Sequence, residues 1–306
     1  MNTYIIINKN AKQNDNTGDI EQIVNQRAHI KITRTKEELL GVINECKEQQ
    51  AQRVIFVGGD GTFQYGVTQF IAHYGETPMP WFSLLSRGTI NCLARTFCLD
   101  DNIANGIPKL LSDEPTVKTV PLLEFATPQT KEHGFIFSCG ITANLLDEYY
   151  DKRSGTPGIT KLGKIMGKTT LSSFVNGRYY QKITKPAHIS IQAGEEQREE
   201  QPHTLVAASS IAFDLDLYQV SLRPFHKLAQ QHAPPYLCTT TASFFDIISE
   251  SKGLATGELI NNAEYFTGTP FILKGSEEWK YMIEGEPRTT KDLAITLGPE
   301  LHFITY

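Results

Sequence analysis

"RVIFVGGDGTFQYG" (residues 53–66) decides the fold, because an apolar run breaks at once into two glycines, an acid, a third glycine and a threonine. Val54 to Val57 read as a strand buried on both faces. After the glycines, Phe63, Val67, Phe70 and Ile71 recur at helical spacing. A strand that turns straight into a helix opens a crossover unit. The same texture extends in both directions. "YIIIN" (4–8), "HIKIT" (29–33) and "WFSLL" (81–85) read as further strands. "DIEQIVNQ" reads as a helix, as does the stripe Leu39, Leu40, Val42, Ile43 and Cys46, which Thr35 and Glu38 precede at capping-box spacing. Ile90, Leu93, Ala94 and Phe97 mark one more helix. Strict alternation predicts a three-layer α/β domain with a parallel sheet over residues 1–120.

Past residue 120 the pattern changes. "FIFSCG" (135–140), "AHISIQA" (187–193), "TLVAASSIAF" (204–213), "YLCTTTASFFDI" (236–247), "PFILKG" (270–275) and "EWKYMIEGE" (278–286) read as strands, with helical stretches between 142 and 182. This predicts a second, antiparallel β-sandwich domain over 121–295. A ligand site is expected in the cleft between the two domains.

Composition narrows the function. The 306 residues are 40% hydrophobic, enough for sizeable cores, and contain no apolar run long enough to span a membrane. The start "MNTYIIINKNAK" has too short an apolar core for a secretory leader, so the expected location is the cytoplasm. Cys46, Cys92, Cys98, Cys139 and Cys238 are scattered and odd in number, which argues against a disulfide framework or a zinc ribbon. The net charge of -5 argues against nucleic acid as a partner. The charge is unevenly spread. Residues 152–185 hold eight Lys/Arg and no acid, leaving 21 basic and 34 acidic groups elsewhere. Such a segment suits either a solvated helix face or an anionic membrane surface, which would make the protein peripherally membrane-associated. Within it Lys161, Lys164 and Lys168 share one side of a helix, beside Leu162, Ile165 and Met166.

The glycine string has a physical reading. In a parallel sheet, ligands collect beyond the carboxyl ends of the strands, where Gly58 and Gly59 fall. Glycine lets an anion approach the backbone, and Thr62 can cap the next helix, whose amino end favours phosphate. Asp60 in that setting would repel a polyphosphate unless a cation intervenes, which points to a magnesium nucleotide. "SLLSRGTINCLARTF" repeats the order of strand, glycine-threonine and helix, so two turns would converge on one ligand. "GKIMGKT" (163–169) is one residue short of a phosphate-binding loop and follows no strand. His226 and His232 have no metal-ligand spacing.

"VGGDGTF" followed by "RGTINCLAR" resembles the diacylglycerol kinase catalytic-domain family, in particular the compact bacterial lipid kinases and sphingosine kinases. Asn8, Thr33 and the late "EGEP" (284–287) stand in the matching order. The resemblance implies ATP and Mg2+ as cofactors, with ATP bound by Asn8, Thr33, Gly58, Gly59, Asp60, Gly61, Thr62, Phe63, Gln64, Gly88, Thr89 and Asn91. It implies a lipid substrate, diacylglycerol-like or sphingoid, whose hydroxyl attacks the γ-phosphate, and a final strand "ELHFITY" returning to the first domain, with residues 296–306 completing it. On a strand, Glu284 and Glu286 would face the same side, and like charges that close raise one pKa. The resemblance makes Glu286 and Glu284 the catalytic carboxylates alongside Asp60. Several positions depart from the family pattern: Lys9 for proline, Gln64 and Tyr65 in the loop, Cys92 for the acid after Asn91, Pro121 for an aspartate, and no Asp-Gly after Pro224. Two alternatives stay open, an NAD kinase-like enzyme and a nucleotide-binding family member with little or no turnover. The oligomeric state is open, a homodimer included.

Overall fold

Strands with apolar side chains on both faces need cover on both sides, and the first third of the chain is built this way. Its elements are β1 (Thr3–Asn8), α1 (Gly18–Val24), β2 (His29–Thr33), α2 (Lys36–Glu48), β3 (Arg53–Gly58), α3 (Asp60–Tyr74), β4 (Trp81–Ser86), α4 (Cys92–Thr96) and α5 (Ile103–Leu110). The computed structural model describes residues 1–11, 18–24, 26–87, 91–99, 102–151, 159–217 and 220–305. β1 pairs in parallel with β2 and β3, and β3 with β4, through registers such as Ile5↔Ile30, Ile5↔Ile55 and Ile55↔Ser83. Ile5, Ile7, Ile55 and Val57 pack against Ile20 and Val24 of α1 and Ile107 and Leu110 of α5. Phe56, between Ile55 and Val57, faces the other way and meets Phe63 and Phe70 of α3 edge-on at 5.7 and 6.1 Å. The predicted three layers follow from this alternation.

The chain then changes to antiparallel pairing. β5 (Thr116–Ala126), β6 (Lys131–Gly134) and β7 (Ile136–Gly140) lead into α6 (Ile141–Tyr150), α7 (Ile159–Ser173) and α8 (Arg178–Ile183). β8 (Ala187–Ala193), β9 (Glu196–His203), β10 (Leu205–Ser209), the small hairpin β11 (Leu215–Leu217) and β12 (Val220–Leu222), and α9 (His226–Ala229) follow. Next come β13 (Tyr236–Thr240), α10 (Phe244–Ser249), α11 (Ser251–Ala255), β14 (Ala263–Thr267), β15 (Phe271–Ile283) and β16 (Glu286–Thr305). β14, β13, β10 and β7 are successive antiparallel neighbours. β15 belongs to two pairings: Phe271–Lys274 lie against β8, and Tyr281–Ile283 against β7, with a register shift between Lys274 and Trp279. The bulge turns the strand from one sheet layer to the other. One core fills between them, joining Phe137, Val206 and Leu237 to Ile189, Ile191, Leu123 and Phe125.

Met1–Pro121 and the residues from Pro299 onward make up one unit, and Leu122–Gly298 the other. β16 is shared: its early residues pair with β15 (Ile283↔Glu286, Phe271↔Ile295), and Phe303 lies in parallel beside Phe82 of β4.

Three expectations change. The stretch 236–247 is not one strand but β13 followed by α10, whose start is fixed by a capping box between Ser243 and Asp246. The segments 270–275 and 278–286 are one bulged strand with a turn at its end. Lys161 does not share an exposed face with Lys164: it is buried, donating from Nζ to Asp151 O at 2.7 Å, and Ile165 beside it is core.

Candidate functional site

In the first unit, the glycine loop lies at the carboxyl end of β3. Helix α3 begins at Asp60 with Gly59 as its cap, so Thr62 lies inside the first turn and does not cap it. Thr62 has another task. Its Oγ1 accepts from Asn8 Nδ2 at 2.9 Å, tying the end of β1 to the helix start. It also explains Gly58: a Cβ there would come within 2.7 Å of Thr62 Cβ. The close approach that demands glycine is therefore made by the protein's own threonine. Asn8 Oδ1 accepts from Asn10 N, and Lys9 N donates to Thr33 O at 2.9 Å, so Asn8 and Thr33 shape one corner. Phe63 is core, edge-on to Phe303 at 5.5 Å. Gln64 is buried, donating from Nε2 to Thr68 Oγ1 at 3.2 Å. Neither of these two side chains is exposed to a ligand.

The second turn is bound to the first by Asp60. Its carboxylate accepts from Cys92 N at 2.8 Å and Leu93 N at 3.4 Å, at the start of α4. Burial pushes this carboxyl up to about 6, and the two backbone N–H groups and Arg95 hold the rise down. Asn91, in the left-handed region at φ 54°, leads into α4 with its Oδ1 buried and without a partner among the described residues. Ser86, at the end of β4 beside Gly58, likewise has a buried hydroxyl without a partner. Sequence reasoning passed over Ser86; its signal is its place at a strand's carboxyl end, one residue short of the next turn. Gly88 and Thr89 lie outside the described residues. Unsatisfied buried polar atoms at the carboxyl ends of parallel strands fit a polar ligand such as a nucleotide.

A metal held by Asp60 fits less well. Its oxygens already accept backbone hydrogen bonds, and among the described residues no three His, Cys, Asp or Glu side chains converge. No step is therefore routed through a protein-held cation.

In the second unit, the EGE triplet is a turn rather than part of a strand. β15 ends at Ile283 and β16 starts at Glu286, so Glu284 and Gly285 are the two loop residues, at φ 47° and 80°. Two positive φ values in a two-residue hairpin loop match the strand twist, and glycine suits the second position. Glu284 Oε1 accepts from Phe135 N at 2.5 Å and Ile136 N at 2.9 Å. That carboxylate anchors the turn. Glu286 lies in the strand with no hydrogen bond to its carboxylate among the described residues, near Arg288, which makes a two-pronged pair with Glu132 at 3.0 and 3.1 Å. The expected same-side carboxylate pair is therefore replaced by one structural acid and one available acid.

A parallel α/β unit with a Gly-Gly-Asp-Gly-Thr turn at its sheet edge, in a chain that also holds an antiparallel β unit, defines the class. Residues 2–120, within the first unit, match the model of the diacylglycerol kinase catalytic domain. No curated protein matches the chain. Among solved structures, a diacylglycerol kinase from Bacillus anthracis str. Sterne is similar at TM-score 0.63 and 14% identity, with 100% of this chain and 97% of that one covered. Two candidate diacylglycerol kinases from the same strain are similar at TM-scores 0.70 and 0.65 and identities 14% and 16%, covering 95% and 98% of their own lengths. At such identities the likeness establishes the fold.

Proposed function

We propose that the protein is an ATP-dependent lipid kinase that transfers the γ-phosphoryl group to a hydroxyl of a diacylglycerol-like or sphingoid lipid. The observation that carries this reading is the Asp60 bridge, which joins the Gly58–Thr62 turn to the turn before α4 inside a diacylglycerol kinase catalytic domain. On this reading the ATP phosphates lie along backbone N–H groups of the two turns, with Ser86 Oγ and Asn91 Oδ1 as the polar groups that the nucleotide satisfies. The lipid oxygen forms a bond to γ-phosphorus as the bond to the β-phosphate bridging oxygen breaks. The hydroxyl proton passes to Glu286, the acid of the EGE triplet whose carboxylate accepts no hydrogen bond. Positioning and charge stabilisation do the remaining work.

One observation favours a second reading, a nucleotide-binding protein with little turnover: Asp60 and Glu284 are both committed to backbone N–H groups. Incubating the purified chain with labelled ATP, Mg2+ and a total lipid extract, with NAD in parallel, separates the readings. Label in the lipid phase supports the kinase. ATP binding without transfer supports the second reading, and labelled NAD phosphate overturns the choice of substrate.

A further inference from the structure

The two turns of the first unit leave one cation without a partner among the described residues. Across residues 53–66 and 86–97 the acid is Asp60 alone, while Arg53, Arg87 and Arg95 are basic. Two of these arginines are engaged. Arg53, at the opposite end of β3, donates from Nη1 to Leu110 O and Ser112 O at 3.2 and 2.6 Å, and Arg95 lies close enough to Asp60 to favour its charged form. Arg87 is not. It is half-buried, its Nε is enclosed without an acceptor, and its guanidinium has no acidic partner among the described residues.

The backbone fixes where Arg87 stands. Gly58 and Ser86 are parallel partners, and Arg87 N donates to Gly58 O at 2.7 Å, so residue 87 is held beside the glycine turn whatever side chain it carries. Ser86, 4% exposed, brings its unpartnered hydroxyl to the same corner. No side chain caps α3, because Gly59 is its cap, and the N–H groups of the first turn have no intrahelical acceptor. Buried donors rarely stay unmatched, and a guanidinium, which only donates, requires an anion. Its planar fork fits two oxygens of one phosphate.

We infer that Arg87 reads the polyphosphate at this site: its guanidinium takes phosphate oxygens of the nucleotide and neutralises their charge from the chain itself. Asp60 is poorly placed to do so through a metal ion, since its oxygens already accept from Cys92 N and Leu93 N. An arginine needs no such ion. Polyphosphate binding therefore survives removal of Mg2+ and depends on the fork as well as the charge of residue 87. The inference rests on the proposed function only in that the phosphates lie along these two turns. It does not depend on which hydroxyl receives the phosphoryl group.

The test is calorimetric titration of the full chain with ATP and with inorganic tripolyphosphate, in excess EDTA and again with Mg2+. The wild type should bind both without the metal. Arg87→Gln keeps the backbone bond to Gly58 and should lower both affinities about 10- to 100-fold, the loss of a hydrogen bond from a charged donor. Arg87→Lys, which keeps the charge without the fork, should recover only part of that loss. Without ligand, the melting temperature of Arg87→Gln should equal or exceed that of the wild type, because the side chain it removes has no internal partner. A ligand-free fall in melting temperature would make Arg87 a structural residue and overturn the inference. So would wild-type affinity for tripolyphosphate in Arg87→Gln, or a wild type that binds only with Mg2+. Weakened tripolyphosphate binding in Arg87→Gln, with no lipid labelled by the wild type, supports the inference and rejects the kinase reading. Lipid labelling with binding unchanged in the variant does the reverse.

Discussion

Two carboxylates that look alike in the sequence do different work because of their partners. One carboxylate oxygen of Glu284 accepts from both Phe135 N and Ile136 N, so Glu284→Gln should destabilise the second unit by about 1–3 kcal/mol, measured by urea unfolding. Glu286 makes no such bond, and Glu286→Gln should leave unfolding unchanged while lowering lipid phosphorylation by about 100- to 10,000-fold. A variant pair with the two phenotypes exchanged would reverse the assignment. Asp60 makes a pH prediction. Burial pushes its carboxyl in the folded state from the ordinary 3.8 up to about 6, so the folded state holds the proton more tightly. Stability from this group is then fully present below about pH 3.8 and is lost as pH rises through about 6, by about 3 kcal/mol. Asp60→Asn should abolish that slope between about pH 4 and 6 in thermal melts. The Asp60 bridge was not legible, because its partners are backbone N–H groups more than thirty residues away. Gly58 was legible as an obligatory glycine, though the neighbour that requires it, Thr62, is internal.

At the scale of elements, the parallel strands were plain because large apolar residues fill successive positions, Ile5–Ile7 of β1, Val54–Val57 of β3 and Leu84–Leu85 of β4, whereas the antiparallel half was read less well. α10 was hidden by the four apolar residues Phe244, Phe245, Ile247 and Ile248, which suit a strand as well as a helix; the deciding signal was Ser243 with Asp246 three residues on. β15 was split in two because the polar stretch from Lys274 to Glu278 is the bulge at which the strand changes neighbours. Trp279 lies directly after that bulge, buried, with Nε1 donating to Lys291 O at 3.1 Å and its ring edge-on to Phe137 at 6.4 Å. Trp279→Ala should cost about 3–5 kcal/mol in denaturant unfolding, with Trp279→Phe recovering most of the loss. If both substitutions cost less than about 1 kcal/mol, the bulge is held by something other than this ring.

For the whole molecule, the order of the chain and the order of the sheet disagree. The first unit takes its edge strand from the far end of the sequence, where Phe303 stacks on Phe97 at 4.1 Å and Ser83 Oγ donates to Ile304 O at 2.9 Å. Leu301, Phe303 and Ile304 are fully buried there. A fragment of residues 1–121 should therefore fail to fold cooperatively by circular dichroism, and a peptide covering residues 299–306 added to it should restore structure. Cooperative folding of the fragment alone would refute this. The same arrangement has a consequence for synthesis. A ribosome making this chain releases β1 to β4 early, yet the segment that covers the edge of β4 emerges only more than 200 residues later. During translation the exposed edge and the bare faces of Phe63, Phe82 and Phe97 must wait for some 200 residues to be made, so a stalled or prematurely ended chain presents an incomplete first unit to chaperones and proteases.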